Sequence, residues 1–294
     1  MKTSFVDFLA SDGVKLQGLL FEPEGKKDIA VIHIHGMAGS FYENTFIPVM
    51  AKNYTDAAVA FLTFNNRGHD YLCDLVKITS TDTTSLLGGA AYEIIEESLF
   101  DIEGAISFIK KSGYNHIILQ GHSSGANKIV YSMSRKQFDV VGVTLLSPCD
   151  DIGLHIDEVG DKRNELMKLA ESNISAGTPE TLMPENTFFS YWLSAKTYQG
   201  CFKEGSSFDV FPYRDSSDHF SIFNTIEFPI FIAFGTDGEY LKQSPEAVHQ
   251  ILEQKKSTRA TLSFNVIDGA SHSYVGKEDI LVTKILSWLK QLHG

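Results

Sequence analysis

A serine between two glycines stands where a buried strand would give way to a helix. The segment LQGHSSG, residues 119–125, overlaps the end of the apolar run HIILQ and precedes the helical pattern ANKIVYSMSR. Glycine adopts backbone angles and allows close approaches that other residues avoid, so this pair permits a very sharp turn with Ser123 at its apex. The arrangement is that of the G-x-S-x-G nucleophile elbow, which presents a serine hydroxyl at the end of a sheet. A glycine-rich turn with a capping serine is the plainer alternative.

A serine hydroxyl is a weak nucleophile, so the elbow predicts a base elsewhere in the chain. The base is ordinarily a histidine, and a carboxylate fixes its tautomer and stabilises its charged form. After an elbow the acid comes next in the chain, and the histidine follows a late strand. His272 lies in FNVIDGASH, directly after a predicted strand and before the last helix. We therefore predict Ser123 as nucleophile and His272 as general base.

The carboxylate partner of His272 is expected in the loop after the strand PIFIAFG. That loop reads GTDGE and contains Asp237, the first choice, and Glu239, the second. Asp150 and Asp151, which follow the preceding strand, are a third possibility. Because no rule fixes the acid more finely than its loop, these alternatives stay open.

Acyl transfer also needs N–H donors that face the oxygen of a tetrahedral intermediate. The N–H group of Ser124, the residue after the nucleophile, is the first donor. The second donor is expected from the segment HIHGMAGS, where Gly36 and Gly39 allow the backbone to turn an N–H group inward. Within it we predict the N–H group of Met37.

His33 and His35 offer a different interpretation of the same segment. They are two residues apart on a strand, share one face and could bind a metal. Zinc sites use three or four protein ligands, and no third ligand stands nearby in the sequence. The serine chemistry requires neither a metal nor an organic cofactor, so we predict none.

The elements around these residues alternate between strands and helices. Two segments of alternating polarity, about 4–10 and 14–21, flank Asp12-Gly13 and predict a hairpin. The runs DIAVIHIHG, AVAFLTFN, HIILQ, VVGVTLLS and PIFIAFG are predominantly apolar, which is typical of parallel strands buried on both faces. Helical patterns separate most of them. The sequence thus predicts an α/β fold with a doubly wound, mostly parallel eight-stranded sheet.

One interval breaks this alternation. Residues 150–220 contain the acidic, amphipathic segment DEVGDKRNELMKLAESN and then the aromatic segment TFFSYWLSAKTYQGCF. A structureless loop of that length is uncommon in a compact domain, so we predict a small helical cap over the mouth of the sheet. Residues 1–149 and 221–294 would then form the core domain.

Two arginines near the mouth of the sheet have structural interpretations. Arg67, in FNNRGHD, is expected to fix a turn by hydrogen bonds. Arg214, in DVFPYRDSSDHF, is expected to orient a loop carboxylate. Direct contact with a substrate is the alternative for both.

The charge and composition of the 294-residue chain argue against several classes of function. Its net charge is −12, from 37 acidic and 25 basic residues, and no basic patch stands out, so we expect neither nucleic-acid nor membrane binding. Eighteen uninterrupted apolar residues occur nowhere, the first residues do not resemble a leader, and we expect a cytoplasmic protein. Cys73, Cys149 and Cys201 match neither a disulfide framework nor a zinc spacing.

Several motifs together resemble one known family. HGMAG, NNRGH, GHSSG, the loop GTDGE and GASH occur in the order and spacing of the α/β-hydrolase family. The resemblance extends over essentially the whole chain outside the predicted cap. Within the family, the motifs also resemble those of a serine-hydrolase branch near the esterases, lipases and siderophore esterases. It implies a Ser-His-acid hydrolase whose helical cap sets specificity. Related sequences often carry the acid three residues after the strand-ending glycine, where this chain has Gly238.

From the residues and the resemblance together we expect a serine hydrolase of small carboxylic esters. Amide or peptide cleavage by the same residues is the nearest rival, and a catalytically silent member of the fold that binds a ligand is the other. We expect short acyl chains to be preferred, because the predicted cap is too acidic to dock on lipid. The sequence leaves the oligomeric state open.

Overall fold

The computed structural model describes residues 1–25, 28–184, 187–189, 191–215 and 217–292. Its strands are β1 Lys2–Leu9, β2 Lys15–Glu22, β3 Ile29–Ile34, β4 Val59–Asn65, β5 Cys73–Ile78, β6 Thr83–Gly88, β7 His116–His122, β8 Gly142–Leu146, β9 Ile230–Gly235 and β10 Leu262–Ile267. Its α-helices are α1 Phe46–Asp56, α2 Ser98–Lys111, α3 Ser124–Arg135, α4 Asp151–Val159, α5 Arg163–Ser175, α6 Ala195–Phe202, α7 Pro245–Lys255 and α8 Glu278–Leu292. Among these described helices, none is long and apolar enough to cross a membrane.

Eight strands form one sheet in the order β1-β2-β4-β3-β7-β8-β9-β10. The first strand pairs antiparallel with β2, and β2 pairs antiparallel with β4. From β4 to β10 every pairing is parallel. The predicted fold class, an α/β fold with a mostly parallel, doubly wound eight-stranded sheet, is confirmed.

Helices cover both faces of this sheet because successive strand residues point to opposite sides. On one face Ile32 and Leu62 pack in a core to which α2, α3 and α7 contribute. On the other face their neighbours Val31 and Phe61 pack in a core with α1 and α8. Strands that are buried on both sides carry apolar residues at most positions, which explains the largely apolar runs of the sequence.

The predicted hairpin at the start of the chain is present. Asp12 and Gly13 connect β1 to β2, and the N–H group of Ala10 donates to the carbonyl oxygen of Val14 at 2.7 Å. The backbone of Gly13 has φ of +94°, which side chains rarely allow.

A second sheet of two strands was not anticipated. Strands β5 and β6 pair antiparallel, from Cys73 opposite Gly88 to Ile78 opposite Thr83. The first five residues of β6 are all exposed. A strand without a buried face has no need of the apolar alternation that would reveal it, and TTSLLG shows none.

Helices α4, α5 and α6 lie between β8 and β9 in the chain, within the interval that the sequence predicts to be helical. Their apolar side chains form a cluster of their own, distinct from the cores on the two faces of the sheet, with Ala170, Tyr198 and Phe202 fully buried. The division into a core of residues 1–149 and 221–294 and a cap of residues 150–220 stays a prediction.

Arg67 ties the turn after β4 to two other segments. Its guanidinium, 5% exposed, donates to Asp101 at 2.8 Å, to Glu97 at 2.7 Å and to Asp12 at 3.0 Å. Asp101 lies in α2 and Asp12 in the first hairpin, so one buried cation joins three parts of the chain. The expectation that Arg67 fixes its turn is confirmed.

A second buried ion pair involves helix α3. Lys128 is 1% exposed, and its Nζ lies 2.6 Å from Oε1 of Glu93, which is 7% exposed. The oxygen Oδ1 of Asn66 is 3.5 Å from the same ammonium group. A charge removed from water is costly unless it is paired, so each member of the pair depends on the other.

We expect Glu93→Gln to lower the free energy of unfolding by about 3 kcal/mol or more, because it leaves the Lys128 ammonium buried without a counter-charge. Glu227→Gln is the matched control, since Glu227 forms an ion pair with Arg259 in which both side chains are exposed. Its loss is expected to cost less than about 1 kcal/mol. Urea unfolding of both variants measures the difference, and equal losses would contradict the assignment of the Lys128 pair as a stability determinant.

Candidate active site

The predicted nucleophile lies at the apex of a sharp turn between a strand and a helix. Strand β7 ends at His122 and α3 begins at Ser124, and between them Ser123 has φ of 56° and ψ of −134°. A non-glycine residue with such angles is strained and persists only where its surroundings hold it. Here the N–H group of Ser123 donates to the carbonyl oxygen of Leu146 at 2.8 Å, and its own carbonyl accepts from Ala126 at 2.9 Å.

Both glycines of the motif are required by close packing. A Cβ on Gly121 would lie 2.5 Å from the backbone nitrogen of Ala126, inside the first turn of α3. A Cβ on Gly125 would overlap the carbonyl oxygen of Ile34 in β3. The start of α3 is thus pressed against two strands at once, and a larger residue at either place would push the serine out of position.

Ser123 and His272 line the same cavity, which has a volume of about 400 Å³. The cavity opens at the carboxyl ends of the central strands, where the loops after β3, β7, β8, β9 and β10 meet. It is also lined by residues from the interval that was predicted to form a cap, among them Leu154, Phe188 and Tyr191. The structure therefore brings the predicted nucleophile and the predicted base to one chamber.

His272 is paired with Glu239. The Nδ1 atom of its ring lies 3.0 Å from Oε2 of Glu239, whose side chain is 7% exposed. The ring also packs edge-on against Tyr240, with 4.7 Å between ring centroids. A carboxylate at Nδ1 favours the tautomer that carries its proton there and leaves Nε2 free to accept one.

The first choice for the partner of His272, Asp237, is therefore corrected: the structure pairs His272 with Glu239, the second choice. Asp237 is exposed, and its backbone N–H group donates to the carbonyl oxygen of Ala270 at 2.9 Å. Among the described contacts its carboxylate makes none with His272. The physical reason is the path of the loop: it turns outward at Asp237, reverses at Gly238, where φ is +64°, and returns the longer side chain of Glu239 beneath the end of β9.

Three groups that sequence reasoning missed hold Glu239 in place. Its Oε1 atom accepts from the N–H group of Gly235 and from Oγ of Ser147, both at 2.7 Å. Oγ of Ser147 is also 2.7 Å from the hydroxyl of Tyr274, which donates to a carbonyl oxygen of β9. Ser147 follows β8 directly and has φ of 47°, but neither a serine nor a tyrosine at these places carries a recognisable signal.

His122, the second residue of the GHSSG motif, supports the backbone of the base. Its Nε2 lies 2.8 Å from the carbonyl oxygen of His272, which can only accept, so Nε2 carries a proton. Burial and the neighbouring His272 hold the pKa of His122 well below its ordinary value. This histidine is therefore neutral and keeps one tautomer.

Asp150 and Asp151, the third possibility for the carboxylate partner of His272, lie elsewhere and make other contacts. Asp150 caps helix α4 by accepting from the N–H group of Gly153 at 2.7 Å, and it forms an ion pair with Arg214 at 2.5 Å. The expectation that Arg214 orients a loop carboxylate is confirmed. Asp151 lines the cavity but is not paired with His272.

Among the described contacts, the hydroxyl of Ser123 makes no hydrogen bond with His272. Within the described residues its Oγ atom contacts Sγ of Cys149, at 3.7 Å. Burial and the carboxylate of Asp151 raise the pKa of the Cys149 thiol well above its ordinary value, so the thiol is neutral and inert. Hydrogen bonds of a catalytic group are often long without substrate and tighten in the complex.

The two predicted oxyanion donors, Met37 and Ser124, both line the cavity. Ser124 is the first residue of α3, where N–H groups have no partner within the helix and the helix dipole is positive. The loop that carries Met37 passes close to the nucleophile, because a Cβ on Gly36 would lie 3.0 Å from Cβ of Ser123. Only glycine allows this approach without a shift.

His35 fixes the peptide that carries the N–H group of Met37. Its Nδ1 donates to the carbonyl oxygen of Gly36 at 2.9 Å, and its Nε2 accepts from the backbone of Asn66 at 3.1 Å. In a trans peptide the carbonyl and the N–H point in opposite directions, so holding the Gly36 oxygen aims the Met37 N–H group the other way. Burial and the nearby Lys128 hold the pKa of His35 well below its ordinary value.

The alternative of a metal bound by His33 and His35 does not fit these contacts. Both ring nitrogens of His35 are occupied, and Nδ1 of His33 lies 3.0 Å from the amide nitrogen of Gln120. Among the described residues, the structure contains no group of three or more His, Cys, Asp or Glu side chains that could hold a metal ion.

A protein-family model matches most of the chain. The family is described as a protein of unknown function, DUF1749, and the match extends over residues 75–290. The chain belongs to this family. Among curated proteins, none matches its sequence.

Solved structures with the same fold include hydrolases. Est1E from Butyrivibrio proteoclasticus, solved with ferulic acid bound, has a TM-score of 0.63 at 16% identity, and the match covers 97% of this chain and 98% of Est1E. The siderophore hydrolase EstB from Aspergillus fumigatus has a TM-score of 0.68 at 14% identity, with 98% of each chain covered. The α/β hydrolase GrgF from Penicillium sp. sh18 has a TM-score of 0.68 at 14% identity, with 99% of each chain covered. The chain has the α/β-hydrolase fold of these structures, and at these identities the likeness shows the fold alone.

We expect Glu239→Gln to slow the labelling of Ser123 by a fluorophosphonate about a hundredfold or more, because an amide cannot stabilise the charged imidazole and favours the wrong tautomer. Asp237→Asn is the matched control, since it removes the same charge from an exposed position in the same loop, and its labelling rate should stay within about fivefold of the original. The rates are measured by gel fluorescence over time. A larger effect of Asp237→Asn than of Glu239→Gln would restore Asp237 as the acid.

Proposed function

We propose that this protein is a serine hydrolase that cleaves carboxylic esters of small molecules through an acyl-enzyme intermediate. The observation that carries the proposal is the arrangement of three side chains. Ser123 stands at a strained apex on a cavity, and the same cavity contains His272, whose Nδ1 is 3.0 Å from the buried carboxylate of Glu239.

Each residue has a distinct part in the proposed reaction. Oγ of Ser123 attacks the ester carbonyl while Nε2 of His272 removes its proton, and Glu239 stabilises the resulting imidazolium. The N–H groups of Met37 and Ser124 donate to the tetrahedral oxyanion. Collapse of this intermediate breaks the bond to the alcohol, which leaves with the proton from His272. Water then attacks the acyl-serine with His272 again as base, and the acid and free Ser123 are released.

Features outside the three side chains support the same proposal. The structural neighbours include a protein named as an esterase and one named as a siderophore hydrolase, so this fold carries such chemistry elsewhere. The backbone donors, the neutral His35 behind one of them and the neutral His122 behind the base together form a preorganised polar environment. We propose that residues 150–220 act as the cap that shapes the substrate chamber.

We expect Ser123-dependent hydrolysis of p-nitrophenyl butyrate, with the matched anilide turned over more slowly, because an amine is a poorer leaving group and must be protonated as it departs. Ser123→Ala should lower kcat by about a thousandfold or more. Initial rates for the ester and the anilide measure both effects. Faster turnover of the anilide would favour an amidase, and a protein that is neither labelled by a fluorophosphonate nor active on any ester would be a binding module.

We also expect a preference for short acyl chains. The chamber has a volume of about 400 Å³, and its lining includes carboxylates and hydroxyl groups beside the aromatic rings, so only part of a long chain finds apolar surface to cover. For p-nitrophenyl esters, kcat/KM should fall by about tenfold or more between butyrate and palmitate. Assays with and without detergent separate poor binding from poor solubility, and rapid cleavage of long-chain emulsions would overturn this preference.

A further inference from the structure

Two carboxylates line the proposed active-site cavity and have no cation beside them. Asp151 is 6% exposed, and Glu43 lies on the loop that carries Met37. Among the described residues, neither forms an ion pair with a lysine or an arginine, and no lysine or arginine lines the cavity. The chamber is therefore negative at neutral pH wherever these groups are ionised.

Asp151 is exceptional among the buried acids of the chain. Four other buried carboxylates in the described residues each have a lysine or arginine partner: Glu22 with Lys2, Glu93 with Lys128, Asp101 with Arg67, and Asp150 with Arg214. The buried carboxylate of Glu239 is paired with the ring of His272. Buried charges are ordinarily paired because desolvation is costly. The missing partner of Asp151 is therefore expected to come from outside the chain.

Lys128 does not act as the cationic partner of Asp151. The ammonium group of Lys128 lowers the pKa of Asp151 only from a distance, because it is bound to Glu93 at 2.6 Å. Burial, followed by the charge of Asp150, raises the pKa of Asp151 well above its ordinary value. A positive group placed beside Asp151 would restore its ionised form.

Asp151 is also held near the reacting centre. The amide nitrogen of Asn127 donates to Oδ2 of Asp151 at 2.7 Å and to the carbonyl oxygen of Cys149 at 2.9 Å. Sγ of Cys149 is in turn 3.7 Å from Oγ of Ser123. Because Asp151 and Ser123 line the same cavity, a group bound by Asp151 would lie in the chamber that holds the ester carbonyl.

Two further features of the chamber suit a cation that carries other groups. Phe188, Phe189, Tyr191 and Tyr240 contribute aromatic rings to its wall, and aromatic faces attract ammonium groups. Ser124, also in the lining, is 1% exposed, and its hydroxyl has no partner within the described residues. An unpaired buried hydroxyl in the lining is a further group that a polar ligand would satisfy.

We infer that the substrates are esters that carry an ammonium group within a few bonds of the ester carbonyl, and that Asp151 binds this group with Glu43 as a second carboxylate. This inference rests on the proposed function and names its substrate class. The ammonium group fills the place of the missing cation, and the aromatic wall surrounds its substituents. Neutral esters of the same shape react by the same steps but leave Asp151 without a partner.

Isosteric esters test this inference. One pair carries the charge in the alcohol, as 2-(trimethylammonio)ethyl butyrate against 3,3-dimethylbutyl butyrate. The other carries it in the acyl group, as ethyl trimethylammonioacetate against ethyl 3,3-dimethylbutanoate, with each rate divided by that for hydroxide alone. Quaternary ammonium groups do not titrate, so the ratio of kcat/KM within a pair reports charge recognition and is independent of the fraction of active protein.

The charged ester should be favoured by about tenfold or more in at least one pair, as expected for a desolvated charge-assisted contact. Asp151→Asn should lower that ratio at least about fivefold, and Glu43→Gln should lower it less. Asp56→Asn removes the same charge from the exposed end of α1 and should preserve the ratio. If Asp151→Asn proves inactive, the ratio for Glu43→Gln decides.

Contrary outcomes are distinguishable. Ser123-dependent hydrolysis with a ratio near one in both pairs would overturn the cation inference and leave the proposed function intact. A preference that Asp151→Asn and Glu43→Gln both preserve would overturn the assignment to these carboxylates. Failure to cleave any ester, together with no fluorophosphonate labelling, would overturn the proposed function and the inference with it.

Discussion

Helix α3 begins so close to strands β3 and β7 that the residues two positions before and two positions after Ser123 must be glycine. A side chain on Gly121 or Gly125 would collide with backbone atoms of the helix or of β3. This contact fixes the turn, and the turn forces the strained angles of Ser123. The same closeness points the first N–H groups of α3 toward the cavity. This one packing constraint thus positions Ser123, the N-terminus of α3 and the loop that carries Met37.

A layered set of buried hydrogen bonds holds the other groups around this turn. His35 and Asn66 orient the peptide before Met37, while His122 fixes the backbone of His272. Ser147 holds the carboxylate of Glu239. Each support comes from a different strand end, so the sheet itself sets the relative positions. Buried neutral histidines suit this role because they donate and accept at fixed places without becoming charged.

The sequence predicted the position of a residue or strand where local backbone sterics or burial determine that position. The Gly-Ser-Gly spacing and the apolar strands follow from backbone sterics and burial, so Ser123, His272 and the sheet were predictable. The carboxylate partner of His272 was not, because the reversal at Gly238 decides whether Asp237 or Glu239 turns inward, and loop paths depend on tertiary contacts. Strand β6 was missed because it has no buried face to impose a pattern.

The carboxylate of Asp151, which has no cationic partner among the described residues, poses an electrostatic problem for the proposed ester cleavage. Negative charge develops on the substrate oxygen in the transition state, and a nearby anion opposes the stabilisation that N–H donors provide. Burial offsets part of this conflict because it raises the pKa of Asp151 and favours the neutral acid. A substrate that brings its own positive charge resolves the conflict differently, since it neutralises the carboxylate and leaves the oxyanion donors unopposed. Neutral esters lack that compensation, so the charge of the substrate becomes part of the electrostatics of the reaction itself.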